Sequence, residues 1–561
     1  MAALDPITGL LGKKAAAHLL RRLTFGPNKA MIDAFASKTI DQAIADLFAP
    51  VVAPIETDAE LSWLVAKPLP NEKIDEGTKI TQLKSWWINR MLKSGANAQE
   101  KLTFFLHTHF TCIFSVFEKH TPVYYQNKLL RKYSLGNIKT LATAINLDNA
   151  MLMLLSGSSN IKKSPNENYA RELLELYTIG KFFQNPETLG TNDYGNYTEQ
   201  DVKSAAKVLT GFTTDLTYAT IDAVTGIPRG KLRTTPAGLS SEHDISTKTF
   251  STRFGNQQIA PSALSGSSAT ELVVIEEIDQ LMNMIFNQTE TAKNICRKIY
   301  RYFVYYNTPY QLKNPANPEE GYKLNDYVEN NIITPLAVLL KSNNYELKPV
   351  YEKLFKSEHF FFKDSPSTAT EDRTNGAIIK SPLDLSLGMM RLFNVNVANQ
   401  DSLKFFAESL AKQGLNLYEP LDVAGYEAYH AFPFFHRSWI SANYLAERYL
   451  FPKKLLNGKD GMEDIGFRLD IVDFVRNSGI FTGDIGDTNS FVLQAIDLTL
   501  PEPITEERKD YFKGKLTDNQ PDLEWTAEWS DYLTSGDDKV VRELLDSFFW
   551  HLMKSPEYQL M

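Results

Sequence analysis

Two side chains that can do acid–base or metal chemistry fall within the apolar faces of predicted helices. In EKLTFFLHTHFTCIFSVF, His109 lies in the middle of the apolar arc when the residues are spaced about 100° apart. In SPNENYARELLELYTIGK, Glu172 falls between Leu176 and Ile179, at the edge of the apolar arc. A carboxylate in that place must be paired, metal-bound or protonated, because leaving it charged and alone costs several kcal/mol.

We expect His109 and Glu172 to meet in an imidazole–carboxylate hydrogen bond, which would satisfy both groups. A structural pair in the core and a functional site are both compatible with the sequence. His109 and Glu172 are therefore the candidate catalytic residues, and His107, His109 and Glu172 are the candidate ligands of a divalent metal ion. In a regular helix His107 points about 200° away from His109, so joint chelation requires extended backbone or a break in the helix.

Four further residues are candidates for a pocket. Asn168 and Glu175 lie within about 60° of Glu172 on the same helical wheel. Glu175 also stands four residues from Arg171, and this spacing favours a surface ion pair. His243 and Asp244 are adjacent in SEHDISTKTF and can act on an anionic substrate or bind a metal, although a single His–Asp pair is a weak signal.

An aromatic loop, YEAYHAFPFFHRSW, carries His430 and His436 at its two ends. These histidines can line a pocket or simply fill the loop. The sequence contains no Gly-rich phosphate loop, nucleophile elbow or HExxH motif. No established catalytic signature therefore accompanies the candidate residues.

The elements that must position these residues are helices. Helical periodicity predicts helices over 98–118, 165–179, 199–210 and 289–305, among others. Ser164 with Glu167 has the spacing of a capping box, and Thr198 with Asp201 repeats that signal.

The stretch 213–268 breaks the helical pattern, because it is rich in Thr, Ser and Gly and has alternating segments. We predict a small β-hairpin insertion there. The predicted fold class is mainly α, a large multi-helix globular body. It forms a single unit over 1–561, with possible halves 1–305 and 329–561.

Long proline-containing loops around 306–328, 363–382 and 414–437 interrupt the helices. Loops of this length carry function more often than short connections do. We expect these loops to contribute to a binding or interaction surface.

Composition restricts the function classes. The 561 residues carry a net charge of −9, and no basic run is present, which argues against nonspecific nucleic-acid binding. The apolar run Phe104–Phe117 is too short to span a membrane. The N-terminal stretch lacks the features of a signal peptide, so the sequence predicts a cytoplasmic protein or export with a partner. Cys112 and Cys296, the only cysteines, cannot form a disulfide framework.

Eight stretches, in this order, resemble the bacterial family called domain of unknown function 1800: AAHLLRRLTFGP, FFLHTHF, PNENYARELLELYTIG, YTEQDVKSAAKVLTGF, HDISTKTF, LYEPLDVAGY, RSWISANYLAERY and SPEYQLM. They run from residue 16 to 561. Leu106 and Tyr426 depart from the Trp that is common in the family, and HDISTKTF lacks the usual Gly-Pro, which puts a strict role for the His243 loop in doubt.

The resemblance implies a mainly helical protein that is often encoded beside a partner of the domain of unknown function 1501 family. That partner family looks like the alkaline-phosphatase/sulfatase fold. Two functions are therefore expected. The first is a helical binding or assembly protein for the phosphatase/sulfatase-like partner. The alternative is a metal-dependent hydrolase that uses the buried His and Glu residues around a metal ion or an activated water.

Overall fold

The computed structural model describes residues 3–65, 74–181, 192–306, 324–361, 377–395, 397, 399–431, 434–457 and 468–561. Helical residues make up more than half of the chain, and the described strands form two small antiparallel sheets. The predicted mainly α fold class is confirmed. No helix in the described ranges has the length and apolar character needed to cross a membrane.

Twelve α-helices of the described ranges precede the β-rich stretch. They are α1 (Gly12–Leu23), α2 (Lys29–Ala36), α3 (Ile40–Leu47), α4 (Ser62–Val65), α5 (Glu76–Lys93), α6 (Gln99–His109), α7 (Phe114–Phe117), α8 (His120–Lys132), α9 (Ile138–Ile145), α10 (Asn149–Leu154), α11 (Glu167–Glu172) and α12 (Glu199–Val208).

Fifteen α-helices of the described chain follow it. They are α13 (Glu271–Asn287), α14 (Thr289–Phe303), α15 (Asp326–Val328), α16 (Thr334–Ser342), α17 (Leu347–Phe355), α18 (Glu358–Phe361), α19 (Pro382–Leu392), α20 (Gln400–Lys412), α21 (Glu427–His430), α22 (Ala442–Asn457), α23 (Ile471–Asn477), α24 (Thr488–Thr499), α25 (Glu506–Leu516), α26 (Asp522–Ser535) and α27 (Lys539–Lys554).

Wider and tighter helical turns join these elements. The π-helical turns are Leu173–Tyr177 and Glu329–Ile333. The 3₁₀ turns are Ala59–Leu61, Gly157–Ser159, Thr252–Phe254 and Phe435–Ile440.

The described strands lie where the Thr/Ser/Gly-rich stretch predicts them. They are β1 (Phe212–Thr213), β2 (Lys231–Leu232), β3 (Lys248–Thr249) and β4 (Gln258–Ile259). β1 pairs with β2, and β3 pairs with β4, both in the antiparallel direction. Two short pairs replace the single hairpin of the prediction.

The capping residues confirm the predicted start of α12 and correct the predicted start of α11. Thr198 and Asp201 form the predicted capping box, and the Thr198 N–H donates to Asp201 Oδ2 at 2.7 Å. The predicted cap at Ser164 is wrong, because α11 begins at Glu167 with Asn166 as its N-cap. Asn166 Oδ1 accepts the N–H of Asn168 at 3.0 Å and so takes the role assigned to Ser164.

One continuous apolar core runs through the described residues, from Leu4 to Tyr558. It includes members from both predicted halves, for example Trp87 and Trp525, which are fully buried. The division into halves 1–305 and 329–561 stays a prediction. Cys112 and Cys296 are both buried and both free thiols.

Candidate functional site

A cleft bordered by α6, α14, α19, α21 and the 3₁₀ turn Phe435–Ile440 brings together polar and aromatic side chains. It contains about 730 Å³ of space, part of which is open to solvent. Its charged and polar lining residues are Lys101, Thr108, His109, Lys298, Arg301, Ser381, Asp384, His430 and His436. Its aromatic lining residues are Phe105, Tyr302, Tyr306, Tyr429, Phe435 and Trp439.

Helical spacing places the lining side chains on single faces of their helices. On α6, Lys101, Phe105 and Thr108 stand four and three residues apart. On α14, Lys298 and Arg301 stand three residues apart. Residues at these intervals lie on one side of a helix, so each helix presents a short polar ridge to the cleft.

All three loops predicted to carry function reach this cleft with their described residues. Tyr306 comes from the first loop, Ile379 from the second, and the stretch 424–436 of the third contributes both histidines. The rest of the predictions for these loops at 307–323, 363–376 and 432–433 falls outside the described residues.

His109 ends α6 rather than lying inside a longer helix. The predicted helix over 98–118 is wrong, because α6 stops at His109 and a separate turn, α7, begins at Phe114. The Phe114 N–H donates to the carbonyl of Tyr418 at 2.8 Å, which draws the chain away from the helix axis. His109 is therefore placed at the helix terminus, beside the cleft.

Both ring nitrogens of His109 have partners. Nε2 lies 3.1 Å from the carbonyl oxygen of Tyr177, and Nδ1 lies 2.9 Å from Nζ of Lys298. Because a carbonyl can only accept, Nε2 carries the ring proton and Nδ1 accepts from the lysine. Burial, and then the nearby Lys298, hold the pKa of His109 well below its usual range.

The π-helical turn Leu173–Tyr177 supplies the acceptors that fix this arrangement. The carbonyl of Leu176 accepts from Lys298 Nζ at 2.5 Å, and the next carbonyl, that of Tyr177, accepts from His109. Thr178 continues the series, since its carbonyl accepts from Asn294 Nδ2 at 2.8 Å. Such turns open the regular hydrogen-bond ladder and are frequent at functional sites.

Glu172 does not form the predicted hydrogen bond with His109, whose two nitrogens face Tyr177 and Lys298. The prediction assumed a regular helix through Ile179, but α11 ends at Glu172 and the wider turn follows, so the wheel positions beyond Glu172 do not apply. Glu172 is half-buried. Burial and then the charge of Glu175 raise the pKa of Glu172 to about 7.

His107 lies away from the cleft, in an aromatic part of the core. Its Nε2 is 3.3 Å from the hydroxyl of Tyr426, and its ring packs edge-on against Trp87 and Tyr418. Burial lowers the pKa of His107 to about 3, so the ring is neutral. His107 and His109 therefore lie in different environments, as expected for two residues that are two positions apart on a helix.

Asn168 and Glu175 flank Glu172 without forming a site with it. Asn168 is exposed, and its contribution is the N–H that Asn166 caps. Glu175 is half-buried and accepts from the hydroxyl of Tyr197 at 3.0 Å. It also forms a long ion pair with Lys181 at 3.9 Å, rather than the predicted one with Arg171, which pairs with Glu199.

His243 and Asp244 belong to a buried network beside the strands. His243 contacts the carbonyl of Thr210 at 3.0 Å and Oε1 of Glu277 at 3.2 Å. Lys248 also donates to Glu277, and all three side chains of this ionic cluster are fully buried. Asp244 accepts from the N–H of Ser246 at 2.8 Å and stabilises the local turn. This cluster holds the β-rich stretch to α13.

Lys298 is an unusual amine, because it lines the cleft without an acidic partner. It is half-buried, and among the described residues it donates to Leu176 and His109 but pairs with no carboxylate. Loss of hydration and then the neighbouring charge of Arg301 lower the pKa of Lys298 to about 7. A substantial fraction of this lysine is therefore a neutral amine at neutral pH.

His436 lines the same cleft and carries a buried ring nitrogen without a hydrogen-bond partner among the described residues. The ring is only 8% exposed, and its Nδ1 accepts from the N–H of Ile379 at 3.1 Å. Burial, and then Arg22 and Arg437, lower the pKa of His436 to about 3, so the neutral ring carries its proton on Nε2. In the described structure Nε2 has no hydrogen-bond partner. A buried donor of this kind is costly unless a ligand satisfies it.

Among the described lining residues, Asp384 is the one with a carboxylate side chain, and it is already paired. Asp384 forms a buried ion pair with Lys101, and it also accepts from the hydroxyl of Ser381 at 2.8 Å. Lys298 and Arg301 are two further basic side chains of the described lining. Arg301 also stacks over the ring of Phe435, with its Cζ 5.4 Å from the centroid.

The candidate metal ligands His107, His109 and Glu172 do not form a cluster. Across the ranges that the structure describes, no three His, Cys, Asp or Glu side chains are arranged to hold a metal ion. His107, His109 and Glu172 contribute to three different sets of contacts. A metal at these residues stays a prediction.

Comparison with protein families matches residues 18–560 to the model described as "Protein of unknown function (DUF1800)". The chain belongs to this family. No curated protein and no solved structure matches it.

For this family member, the cleft adds residues that the sequence patterns did not single out. Lys298 and Arg301 belong to TAKNICRKIYRYF, where they read as an ordinary cationic face of an amphipathic helix. Asp384 and Lys101 are separated by 283 positions, and their pairing depends on tertiary packing. The signal that was available is the absence of an acidic residue three or four positions from Lys298.

Proposed function

We propose that the protein binds a small organic anion in the cleft between α6, α14 and α19. The observation that carries this proposal is the charge of the lining. Among the described lining residues the basic side chains are Lys101, Lys298 and Arg301, and the acidic one is Asp384, which pairs with Lys101. An anion beside Arg301 would accept charge-assisted hydrogen bonds, which are about twice as strong as neutral ones.

The aromatic walls favour an organic ligand over a bare inorganic ion. Tyr302, Tyr429 and Trp439 all line the cleft, and Tyr302 packs against Tyr429 with ring centroids 5.1 Å apart. Ligand pockets commonly combine such apolar surfaces with a few placed polar groups. An anionic head would lie near Arg301, and an apolar body would lie along the rings.

Calorimetric titration with acetate, benzoate and inorganic phosphate at constant ionic strength tests the proposal. Arg301→Gln removes one cation from the lining, whereas Lys404→Met removes an exposed cation of α20 as the matched control. We expect saturable binding of the carboxylates that weakens about tenfold or more in Arg301→Gln, as expected for losing a hydrogen bond to a charged group. Absence of saturable binding, or equal losses in the two variants, would contradict the proposal.

Two substitutions at His436 distinguish the role of Nε2, the expected ligand contact, from that of Nδ1, which accepts from the Ile379 N–H. In His436→Asn the amide oxygen can still accept from the Ile379 N–H, but the donor of Nε2 is lost. In His436→Gln the amide can replace that donor. We expect anion affinity to fall in His436→Asn and to recover in His436→Gln. The opposite order would show that Nε2 does not contact the ligand.

The expected phosphatase/sulfatase-like partner is compatible with a protein that binds anions. The family resemblance predicts a phosphatase/sulfatase-like protein of the domain of unknown function 1501 family, and an enzyme of that fold handles anionic esters. A helical partner with an anion-binding cleft fits such an assembly. Co-purification from the native host should recover the phosphatase-like protein, and recovery of this chain alone would contradict the association.

The metal-dependent hydrolase is the less supported alternative. Its proposed residues do not converge, and His109 is held by a carbonyl and an amine. Metal analysis of the purified protein tests it directly. A stoichiometric divalent metal that is lost in His109→Ala, together with hydrolytic activity, would favour that alternative over anion binding.

A further inference from the structure

Lys298 has the surroundings of an amine that reacts rather than one that only carries charge. Its Nζ lies in a cleft, 2.5 Å from the Leu176 carbonyl and 2.9 Å from Nδ1 of His109. Both partners are acceptors, because Nε2 of His109 holds the ring proton for Tyr177. A neutral amine can satisfy both acceptors with its two hydrogens. Its lone pair then remains available toward the cleft.

Arg301 stands in position to hold a carboxylate next to this amine. It lies one helical turn beyond Lys298 on α14, and both side chains line the cleft. Residues three apart on a helix have Cβ atoms about 5–6 Å from each other. A ligand in the cleft can therefore place a carboxylate at Arg301 and the adjacent carbonyl carbon at Lys298.

The geometry points to Lys298 as a nucleophile that forms an imine with a small 2-oxo acid. This inference rests on the proposed anion-binding function and names its substrate class. Lysines that form such adducts are commonly activated by loss of hydration or by a neighbouring cation, and Lys298 has both features.

The chemistry balances without an external oxidant or reductant. The Nζ lone pair attacks the carbonyl carbon, an N–C bond forms, and the π electron pair moves to the oxygen. A net transfer of one proton from nitrogen to that oxygen gives a carbinolamine. Loss of the hydroxyl together with the second nitrogen proton releases one water and leaves the C=N bond.

The groups around Lys298 have different roles in imine formation. The Leu176 carbonyl and Nδ1 of His109 orient the amine through its two N–H groups. The orphan Nε2–H of His436 lines the same cleft and can donate to an oxygen of the ligand. The aromatic lining residues Tyr302, Tyr429 and Trp439 offer apolar surface to the body of the ligand.

Reductive trapping with pyruvate tests the inference. Pyruvate and sodium borohydride are added to the full-length protein, and peptide mass spectrometry locates any carboxyethyl group on lysine. We expect Lys298 to be modified at least tenfold more than the exposed Lys404. Lys298→Arg keeps a donor at this position but cannot form the imine, so its peptide should carry no adduct. Melting curves confirm that this variant folds.

Two further arms test the role of the carboxylate. Acetate shares the carboxylate of pyruvate but lacks the ketone, so it should compete with labelling. Arg301→Gln should reduce labelling of Lys298 about tenfold. Labelling that is insensitive to both would overturn the assignment of a carboxylate-anchored 2-oxo acid.

The failure of the inference can be distinguished from the failure of the proposed function. If calorimetry shows that pyruvate and acetate bind equally but Lys298 gains no adduct above Lys404, the imine inference is wrong and anion binding stands. If neither compound binds and no adduct forms, both are wrong. Trapping at Lys298 that acetate suppresses supports both.

Discussion

The lowered pKa of Lys298 is a quantitative prediction that can be tested directly. The pKa of this amine falls from 10.5 to about 7, first because burial removes hydration and second because Arg301 is also cationic. The difference is about 3.5 pKa units, 10.5 minus 7. Relative to a lysine in water, the cleft therefore disfavours the ammonium form against the neutral amine by about 5 kcal/mol.

Competitive acetylation across a pH series measures this pKa at a single residue. Trace isotope-labelled acetic anhydride reacts only with neutral amines, and mass spectrometry reads each lysine peptide. We expect the reactivity of Lys298 to titrate with a midpoint near 7, with the exposed Lys404 as the internal reference. A midpoint for Lys298 above about 9, close to that of an unperturbed lysine, would refute the reasoning from burial.

Arg301→Gln separates the two causes. The charge of Arg301 is the second cause of the lowered pKa, so losing this charge should raise the pKa of Lys298. Burial, the larger cause, remains in this variant. A midpoint that does not move would show that Arg301 does not influence the amine.

The same titration has a defined effect on stability. The unfolded chain binds this proton up to pH about 10.5, whereas the folded chain releases it near 7, so the stability of wild type rises with pH across that interval. We expect wild type to gain up to about 1.4 kcal/mol per pH unit relative to Lys298→Met between those limits. Parallel pH profiles of the two proteins would contradict the lowered pKa.

Two further predictions concern the buried carboxylates. Glu277→Gln leaves Lys248 fully buried without its ionic partner, so we expect a loss of about 3–5 kcal/mol in denaturant unfolding, whereas the exposed Glu408→Gln should change stability little. An equal effect of both variants would contradict the role of the network. Glu172 binds its proton more tightly when folded, so its contribution is present below pH about 4.5 and is lost as pH rises through about 7. Glu172→Gln should therefore match wild type in melting temperature at pH 4 and exceed it at pH 8, and a lower melting temperature at pH 8 would contradict this.

Local sequence signals predicted the elements better than their ends. The Thr198–Asp201 capping box and the strand-forming stretch both appear as predicted, because side-chain hydrogen bonds and turn residues act over a few positions. The end of α6 was missed, since the Phe114 N–H finds its acceptor on Tyr418, about 300 residues further along the chain. No local pattern in EKLTFFLHTHF records that contact.

The candidate site was missed in part for a geometric reason. A wheel drawn at a constant angle placed Glu172 opposite the wrong partners, because the chain leaves α-helical geometry at Leu173. His109 was singled out correctly as a polar residue turned inward, and it does line the cleft. Its partners are a backbone carbonyl, which no side-chain pattern predicts, and a lysine 189 positions away.

Lys298 shows why the chemistry of this cleft emerges only from the fold. In sequence it is one cation among several on an amphipathic helix, and such residues usually face solvent. The fold instead packs that face of α14 against the end of α6 and the π-helical turn, where the Leu176 carbonyl and Nδ1 of His109 replace water around the amine. Because these neutral acceptors do not balance the charge of the ammonium form, burial there favours the uncharged form. An anion-binding cleft thereby gains a nucleophile at neutral pH, which a carboxylate partner for Lys298 would have suppressed.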